Sequence, residues 1–131
     1  MPAFALEPEQ HKWCEQLRAL GAEKLRPLAE AGEEGLINRE LLAALGQLGL
    51  LGRLFAPDGR PASALDLCLL RESLAYSCTE AETALALQGL GAGPLALAGT
   101  AAQRERWLGE VTAGRAVAAF ALSEPGAGSD A

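Results

Sequence analysis

The chain has 131 residues, of which 50% are hydrophobic and 21% are charged, a composition typical of a globular domain with a modest core and not of a disordered segment. Its formal net charge of −6 disfavours nucleic acid and an anionic membrane as partners, because both bind clustered Lys and Arg. Three cysteines, Cys14, Cys68 and Cys78, form no CxxC pair and have no ligand-like spacing to His11, which indicates a reduced, intracellular protein.

The N-terminal stretch MPAFALEPEQ contains neither a basic region nor a long apolar region. It therefore lacks the pattern of a secretory signal. We expect a cytoplasmic location.

Helical periodicity begins close to the N-terminus. The apolar face of the first predicted helix consists of Trp13, Leu17, Leu20 and Leu28. Pro27 falls inside this pattern, so we expect the helix to bend or end near Arg26. Asn38 is the predicted N-cap of a second helix, with a buried stripe at Leu41, Leu45 and Leu48.

Polar caps predict where the later helices begin. The stretch FAPDGRPAS is a predicted loop because of its Pro and Gly content, and Ser63 is the cap candidate for the third helix. Thr79 with Glu82, and Thr100 with Gln103, both fit the capping-box pattern. These pairs predict a fourth, apolar helix and a fifth, amphipathic helix, for which Gly114 is the expected C-terminal cap.

The fourth helix contains TALALQGLGAGPLALA, Thr83 to Ala98, which superficially resembles a membrane span. It is shorter than the roughly 20 apolar residues that a bilayer requires, and it carries Gln88, three glycines and Pro94. We therefore expect a helix buried in a soluble bundle and no membrane partner.

The period changes only after residue 115. AVAAFAL, Ala116 to Leu122, is an apolar run of strand length that leads into a turn. The predicted fold class is thus all-α, a helical bundle that ends in one β-strand, with a helical domain at 1–115 and the strand and turn at 116–131. A single strand cannot satisfy its own ladder donors and acceptors, so it needs a partner.

The turn after this strand contains the residues best suited to chemistry. Gly126 and Gly128 permit close approach of the backbone to a ligand, and consecutive N–H groups in such a turn can bind phosphate oxygens. Ser123 and Ser129 add hydroxyls. Gly126, Gly128 and Ala131 also match the G-x-G-x-x-A dinucleotide fingerprint, although the helix and the later acidic residue that this fingerprint requires do not follow.

The longer string FALSEPGAGSD, Phe120 to Asp130, closely resembles the signature of the acyl-CoA dehydrogenase family. Three further segments resemble the family: Pro27-Leu28-Ala29, LAALGQLGLLG, and GTAAQRERWLGEVTAGRAVAAFAL. The resemblance therefore spans almost the whole chain. The loop FAPDGRPAS lacks the paired glycines often found in the family, and Ser123 stands where Thr is commoner.

The resemblance implies an FAD-dependent enzyme that introduces an α,β double bond into an acyl-CoA thioester, with hydride transfer to the flavin. It implies that Phe120, Leu122, Ser123, Gly128 and Ser129 contact FAD. It also implies that Ser129 contacts the CoA ester, and that Leu87 and Leu90 contact the acyl chain. The alternative for the serines and acids of the turn is that they merely cap it.

In the family the catalytic base is a glutamate of a later helical domain. We therefore expect Glu124 to be structural, the chain to contain no catalytic base, and the 131 residues alone to be inactive. The resemblance further implies a homo-oligomer and an acceptor like electron-transfer flavoprotein. Two other functions stay open: a non-catalytic helical interaction module derived from the family, and a related flavin oxidase or monooxygenase.

Overall fold

The computed structural model describes residues 5–55 and 62–130. The elements in chain order are α1 (Pro8–Leu20), a π-helical turn (Gly21–Leu25), α2 (Arg26–Glu30), α3 (Arg39–Gln47), a 3₁₀ helix (Leu51–Leu54), α4 (Ala64–Ser77), α5 (Thr79–Ala98) and α6 (Ala101–Thr112). Each helical region predicted from the sequence has a counterpart here, because α1, the π turn and α2 form one continuous helical run. The all-α class is confirmed.

The first helical run passes Pro27 without ending. The backbone N–H of Arg26 donates to the carbonyl of Gly21, five positions earlier. Proline has no N–H, and its ring would clash with the carbonyl four positions before it. The wider π turn before Pro27 is the feature by which helices usually absorb such a mismatch, so the run continues to Glu30.

The core lies between α4 and the helices on either side of it, since α4 packs against both α1 and α5, and α6 packs against α5. Complete burial of one leucine contributes about 1.5–3 kcal/mol. The fully buried leucines come from every helical region up to α5 and are Leu25, Leu45, Leu51, Leu70, Leu74 and Leu85.

The buried stripe predicted for α3 is partly wrong. Leu41 and Leu45 are buried, but Leu48 is exposed and Leu42 is buried in its place. Leu48 is the C-cap of α3, and the chain leaves the helical path at Gly49, where φ is +72°. The helical period therefore ends before it reaches Leu48.

Three of the predicted helix N-caps are confirmed. Asn38 Oδ1 accepts from the N–H of Leu41 at 2.9 Å, and Ser63 Oγ accepts from the N–H of Asp66 at 3.5 Å. The capping box of Thr100 and Gln103 is complete, with both reciprocal bonds present. Gly114 follows the C-cap residue of α6 with φ of +72°, as expected for a terminating glycine.

The capping box predicted for Thr79 and Glu82 is wrong. The N-cap of α5 is Cys78, and Thr79 already lies inside the helix. The hydroxyl of Thr79 instead donates back to the carbonyl of Ala75 at 3.5 Å. Glu82 forms an ion pair with Arg71 of α4, so neither side chain is free to form the box.

The predicted strand is not formed within the described chain. Residues 117–123 have no ladder partner there, and the only pairing in this part is the isolated antiparallel bridge between Glu124 and Ala127. A strand is defined by its hydrogen-bonded neighbour, and the described residues offer none. The central residues of the predicted loop FAPDGRPAS, 56–61, lie outside the described residues.

None of the helices in residues 5–55 and 62–130 combines the length and apolar character needed to cross a membrane.

Candidate functional site: a groove beside the terminal segment

A groove of about 620 Å³ opens between the end of the first helical run, α3 and the N-terminal half of α5. Its floor is mainly apolar. The apolar residues that line it are Ala29, Leu36, Ile37, Leu41, Leu42, Ala84, Leu87, Val117 and Ala118. The polar part of the lining consists of three carboxylates, two hydroxyls and two amides, with Gly32 beside them: Glu33, Glu34, Glu80, Thr79, Thr83, Asn38 and Gln88. The volume and the mainly apolar lining suit an apolar ligand group that also meets a few polar side chains.

The two leucines expected to contact an acyl chain differ in position. Leu87 lines the groove although its side chain is 55% exposed. Leu90 is exposed to a similar extent but lies outside the groove lining. Since the two residues are three positions apart on α5, they share one exposed face of that helix. The groove therefore brings Leu87, and not Leu90, next to the start of the terminal segment, residues 116–130.

Close backbone contact fixes the point at which the terminal segment leaves the bundle. A methyl group at Gly46 of α3 would overlap the carbonyl of Ala113, and one at Gly114 would overlap the carbonyl of Leu42. Both positions thus require glycine for the end of α6 to sit against α3. After this contact, the N–H groups of Arg115 and Ala116 both donate to the carbonyl of Glu110, at 2.9 and 3.1 Å.

An ion pair reinforces the same exit point. Arg115 donates from Nε and Nη2 to the two carboxylate oxygens of Glu110, at 2.9 and 2.6 Å. These hydrogen bonds lower the pKa of the Glu110 carboxyl and raise the pKa of Arg115. Both side chains are largely exposed, so the pair orients the chain more than it stabilises the fold.

A buried glutamine binds the beginning of the terminal segment. Gln88 of α5 is 2% exposed. Its Nε2 donates to the carbonyls of Val111 and Ala116, at 3.3 and 2.9 Å. Its Oε1 accepts from the N–H of Ala118 at 2.7 Å. The amide therefore uses both of its donor hydrogens and its acceptor, as a buried polar group requires.

Gly91 brings the segment against the same face of α5. A methyl group there would lie 2.6 Å from the nitrogen of Ala119 and 2.7 Å from the carbonyl carbon of Ala118. These distances are too short for real contacts, so the segment can approach α5 this closely only because residue 91 is glycine.

The signature residues follow in an exposed turn. The N–H of Glu124 donates to the carbonyl of Ala127 at 2.9 Å, and the N–H of Ala127 donates back at 3.1 Å. The chain reverses over Pro125 and Gly126, and Ser123 and Gly128 flank this isolated bridge in the sequence. Ser123, Gly128 and Ser129 are all exposed.

The exposure and hydrogen bonding of these residues fit the cofactor that the sequence resemblance implies. Phe120 is 45% exposed and Leu122 is 55% exposed. Within the described residues, the N–H groups from Ala119 to Ser123 have no hydrogen-bond partner. A methyl group at Gly126 or Gly128 would meet no atom within 4 Å. Residues 119–129 thus include N–H groups without a partner among the described residues, two exposed hydroxyls and two glycines with open space around them, which are features that a bound flavin could use.

Cys78, at the junction of α4 and α5, is buried beside this site. Burial, and to a smaller extent the nearby Glu80 carboxylate, raise the pKa of its thiol above the ordinary value. A thiol that resists deprotonation is a poor nucleophile at neutral pH. Cys78 therefore acts as a small apolar core residue.

Comparison with known proteins shows which family the chain belongs to. Residues 7–115 match the family described as acyl-CoA dehydrogenase, N-terminal domain. The chain is 32% identical over 120 residues to cyclohexane-1-carbonyl-CoA dehydrogenase of Geobacter metallireducens, covering 88% of this chain and 32% of that protein. It is 34% identical over 137 residues to the short-chain specific acyl-CoA dehydrogenase of Megasphaera elsdenii, covering 98% and 35%.

A eukaryotic relative gives a similar alignment. The chain is 31% identical over 130 residues to the mitochondrial short-chain specific acyl-CoA dehydrogenase of Mus musculus, covering 95% of this chain and 31% of that protein. The chain belongs to the acyl-CoA dehydrogenase family, through the N-terminal helical domain of that family. It spans about one third of the length of these relatives.

Sequence reasoning missed the residues that hold the terminal segment in place. The sequence shows Gln88 as a polar residue in an apolar helix, and Gly91 as one of three glycines that favour tight packing of this helix, but it does not indicate that residues 116–119 are what packs there. Two signals were available. A single amide in an all-apolar helix needs partners when it is buried, and Gly91 lies three positions after it on the same helix face.

Proposed function

We propose that this chain forms the N-terminal helical domain, residues 1–115, and the first strand and signature turn, residues 116–131, of an FAD-dependent acyl-CoA dehydrogenase. The observation that carries the proposal is the position of the signature string, which follows directly from a segment that walls an apolar groove. Family membership supports it for residues 7–115. The flavin contacts rest on the string from Phe120 to Asp130 and on its exposure.

In this proposal the terminal segment holds the flavin. The free N–H of Leu122 and the hydroxyl of Ser123 bind the edge of the isoalloxazine ring, beside the exposed ring of Phe120. Gly128 and Ser129 lie near the pyrophosphate, and Ser129 also contacts the CoA ester. FAD, once bound, supplies the hydride-accepting chemistry, whereas the protein binds and orients the reactants.

The groove is the proposed site of the acyl chain. Leu87 and Val117 present apolar surface to it, and burial of each methylene of a substrate contributes about 0.8 kcal/mol. The carboxylates at its rim would repel the phosphates of CoA, so the acyl tail and not the nucleotide is the part that enters. Leu90 is proposed as a second contact on the same helix face, outside the groove.

The catalytic base is proposed to come from polypeptide beyond this domain. Glu124 is exposed and its backbone closes the turn, which supports a structural role. The acceptor of the electrons, proposed to resemble electron-transfer flavoprotein, the homo-oligomeric state and the cytoplasmic location rest on the family resemblance and on the N-terminal sequence.

Activity of the isolated chain tests the missing base. We expect the 131 residues to show no oxidation of an acyl-CoA with a dye acceptor, and to bind FAD weakly. Turnover by the purified chain would contradict the assignment of the base to another domain.

A chimera tests the flavin site. The chain is joined to the remaining two thirds of the Megasphaera elsdenii relative, and flavin absorbance per protein is measured after gel filtration. We expect the chimera to retain flavin, and the double variant Ser123→Ala/Ser129→Ala to lose most of it. Ser63→Ala, a matched change at the N-cap of α4, should retain flavin. Equal retention in all three proteins would overturn the proposed contacts.

A non-catalytic interaction module is the second candidate. It is favoured by exposed apolar side chains at the groove, namely Leu36 and Ile37 at 65% and 58% exposure, which a partner protein could cover. Light scattering separates the two functions. A monomer that binds no hydrophobic dye contradicts the module.

A further inference from the structure

The side chain of Gln88 binds the backbone of the terminal segment in the way that a neighbouring β-strand would. The amide binds the carbonyl of Ala116 and the N–H of Ala118, which lie two positions apart. In a parallel sheet, one residue of a neighbouring strand makes this same pair of bonds, through its own N–H and C=O. The side chain of Gln88 therefore takes the place of a strand neighbour at this point.

We propose that Gln88 is a positioning residue that sets the register of the terminal segment on α5. The amide binds a carbonyl and an N–H two positions apart. In an extended segment, successive residues direct these groups to opposite sides, so a slip of one residue would turn them away from the amide. The slip would also leave a buried amide unpaired, which costs more than one ordinary hydrogen bond contributes.

Gly91 acts with Gln88 in this role. It lies three positions later on the same face of α5, where the backbone of Ala118 and Ala119 is in contact with it. The two residues thus fix both the distance between the segment and α5 and the register of the segment. We call Gln88 and Gly91 together the clamp. Val117 and Ala118 are held at the wall of the groove.

The register has a consequence for any strand that pairs with the segment. Gln88 occupies one edge at Ala116 and Ala118, so a strand added on that edge can begin to pair only after Ala118. The N–H groups of Val117 and Ala119 have no hydrogen-bond partner among the described residues. The positions of Phe120 and Ser123 relative to the groove then follow from the clamp. The importance of this placement for flavin binding rests on the proposed function. The contacts of Gln88 and Gly91 with the segment do not depend on it.

Amide hydrogen exchange measured by NMR on the wild-type chain is the first test. We expect the N–H of Ala118 to exchange at least about tenfold more slowly, relative to its intrinsic rate, than those of Val117 and Ala119, because only Ala118 has a hydrogen-bond partner among the described residues. Equal protection of the three amides would overturn the proposal without any variant.

Substitution at Gln88 is the second test. In Gln88→Leu we expect the protection of Ala118 to fall about tenfold while the amides of α4 stay protected. Gln16→Leu, at an exposed position of α1, is the matched control and should leave Ala118 unchanged. A folded Gln88→Leu protein with full protection at Ala118 would contradict the clamp.

Gln88→Glu gives a pH profile that a simple packing role would not produce. An ionised carboxylate cannot donate to the carbonyls of Val111 and Ala116, whereas the protonated acid can donate to one of them. Once ionised, the carboxylate would still accept from Ala118, but its second oxygen would face the two carbonyls that Nε2 faces in the wild type and would repel them, so the segment should be released. We therefore expect Ala118 to be protected at acidic pH and to lose protection as the buried carboxyl ionises. A pH-independent protection factor would refute the mechanism. Slow exchange at Ala118 in a chimera that retains no flavin would count against the proposed function alone.

Discussion

Individual glycines decide where the terminal segment leaves the helical bundle. Gly114 is required for two reasons at once. Its φ of +72° lies in the left-handed region, and a methyl group would overlap the carbonyl of Leu42. Gly109, five positions earlier in α6, has nothing within 4 Å of an added methyl group. The two glycines therefore differ in the space around them and in backbone conformation.

Gly114→Ala should lower the free energy of unfolding by about 3 kcal/mol, the sum of left-handed strain and overpacking. Urea denaturation of the purified chain measures this change. Gly109→Ala is the control and should stabilise the chain by about 0.5–1 kcal/mol, because alanine favours a helix interior. Equal effects of the two substitutions would show that the end of α6 does not pack against α3 as described.

The cysteines should differ in reactivity according to burial. Cys68 is exposed, whereas Cys14 and Cys78 are buried, and the raised pKa of Cys78 keeps its thiol protonated. At mildly alkaline pH we expect one fast-reacting thiol with a disulfide reagent, and none in Cys68→Ser. A second fast thiol that persists in Cys14→Ser would contradict the burial of Cys78.

The same pKa shift gives the sign of a stability change with pH. A raised folded-state pKa means that the folded chain holds the proton more tightly than the unfolded chain does. The protonated Cys78 thiol therefore adds to the free energy of unfolding. This addition is complete below the free-thiol pKa of about 8.5 and is lost as pH rises through the folded-state pKa. Cys78→Ala should therefore reduce the loss of stability in alkali, as followed by circular dichroism.

Among the elements, the helices were predictable because their signals are local. Asn38 and Thr100 carry an acceptor that reaches a backbone N–H three positions later, and such geometry depends on neighbouring residues alone. The start of α5 was not predictable in this way. Cys78 is both the C-cap of α4 and the N-cap of α5. Glu82 pairs with Arg71, which lies on the preceding helix.

Two threonines that look equivalent in sequence test this distinction. Thr100→Ala should lower the free energy of unfolding by about 1 kcal/mol, since it removes a capping box. Thr79→Ala should change it by less than about 0.5 kcal/mol, since Thr79 lies inside α5 and caps nothing. Thermal unfolding of both variants decides the matter. A larger loss of unfolding free energy for Thr79→Ala than for Thr100→Ala would indicate that Thr79 caps α5 after all.

At the scale of the molecule, the described helices pack into one bundle, and the terminal segment is held against this bundle at its beginning and exposed at its signature turn. Gln88, Gly91 and Gly114 hold its beginning, and the signature turn projects without a ladder partner among the described residues. The sequence predicted the helical class and the family, because both depend on local periodicity and on a long motif. It did not reveal the clamp, since that depends on contacts between residues 23 to 30 positions apart.

The central claim is that the exposed turn after this clamp contacts a flavin. The most direct measurement is a crystal structure of the chimera with its flavin bound. We expect the hydroxyl of Ser123 to lie within hydrogen-bond distance of the isoalloxazine edge, about 2.7–3.2 Å, with Ser129 close to the pyrophosphate. A flavin bound elsewhere, with both serines still facing solvent, would contradict it.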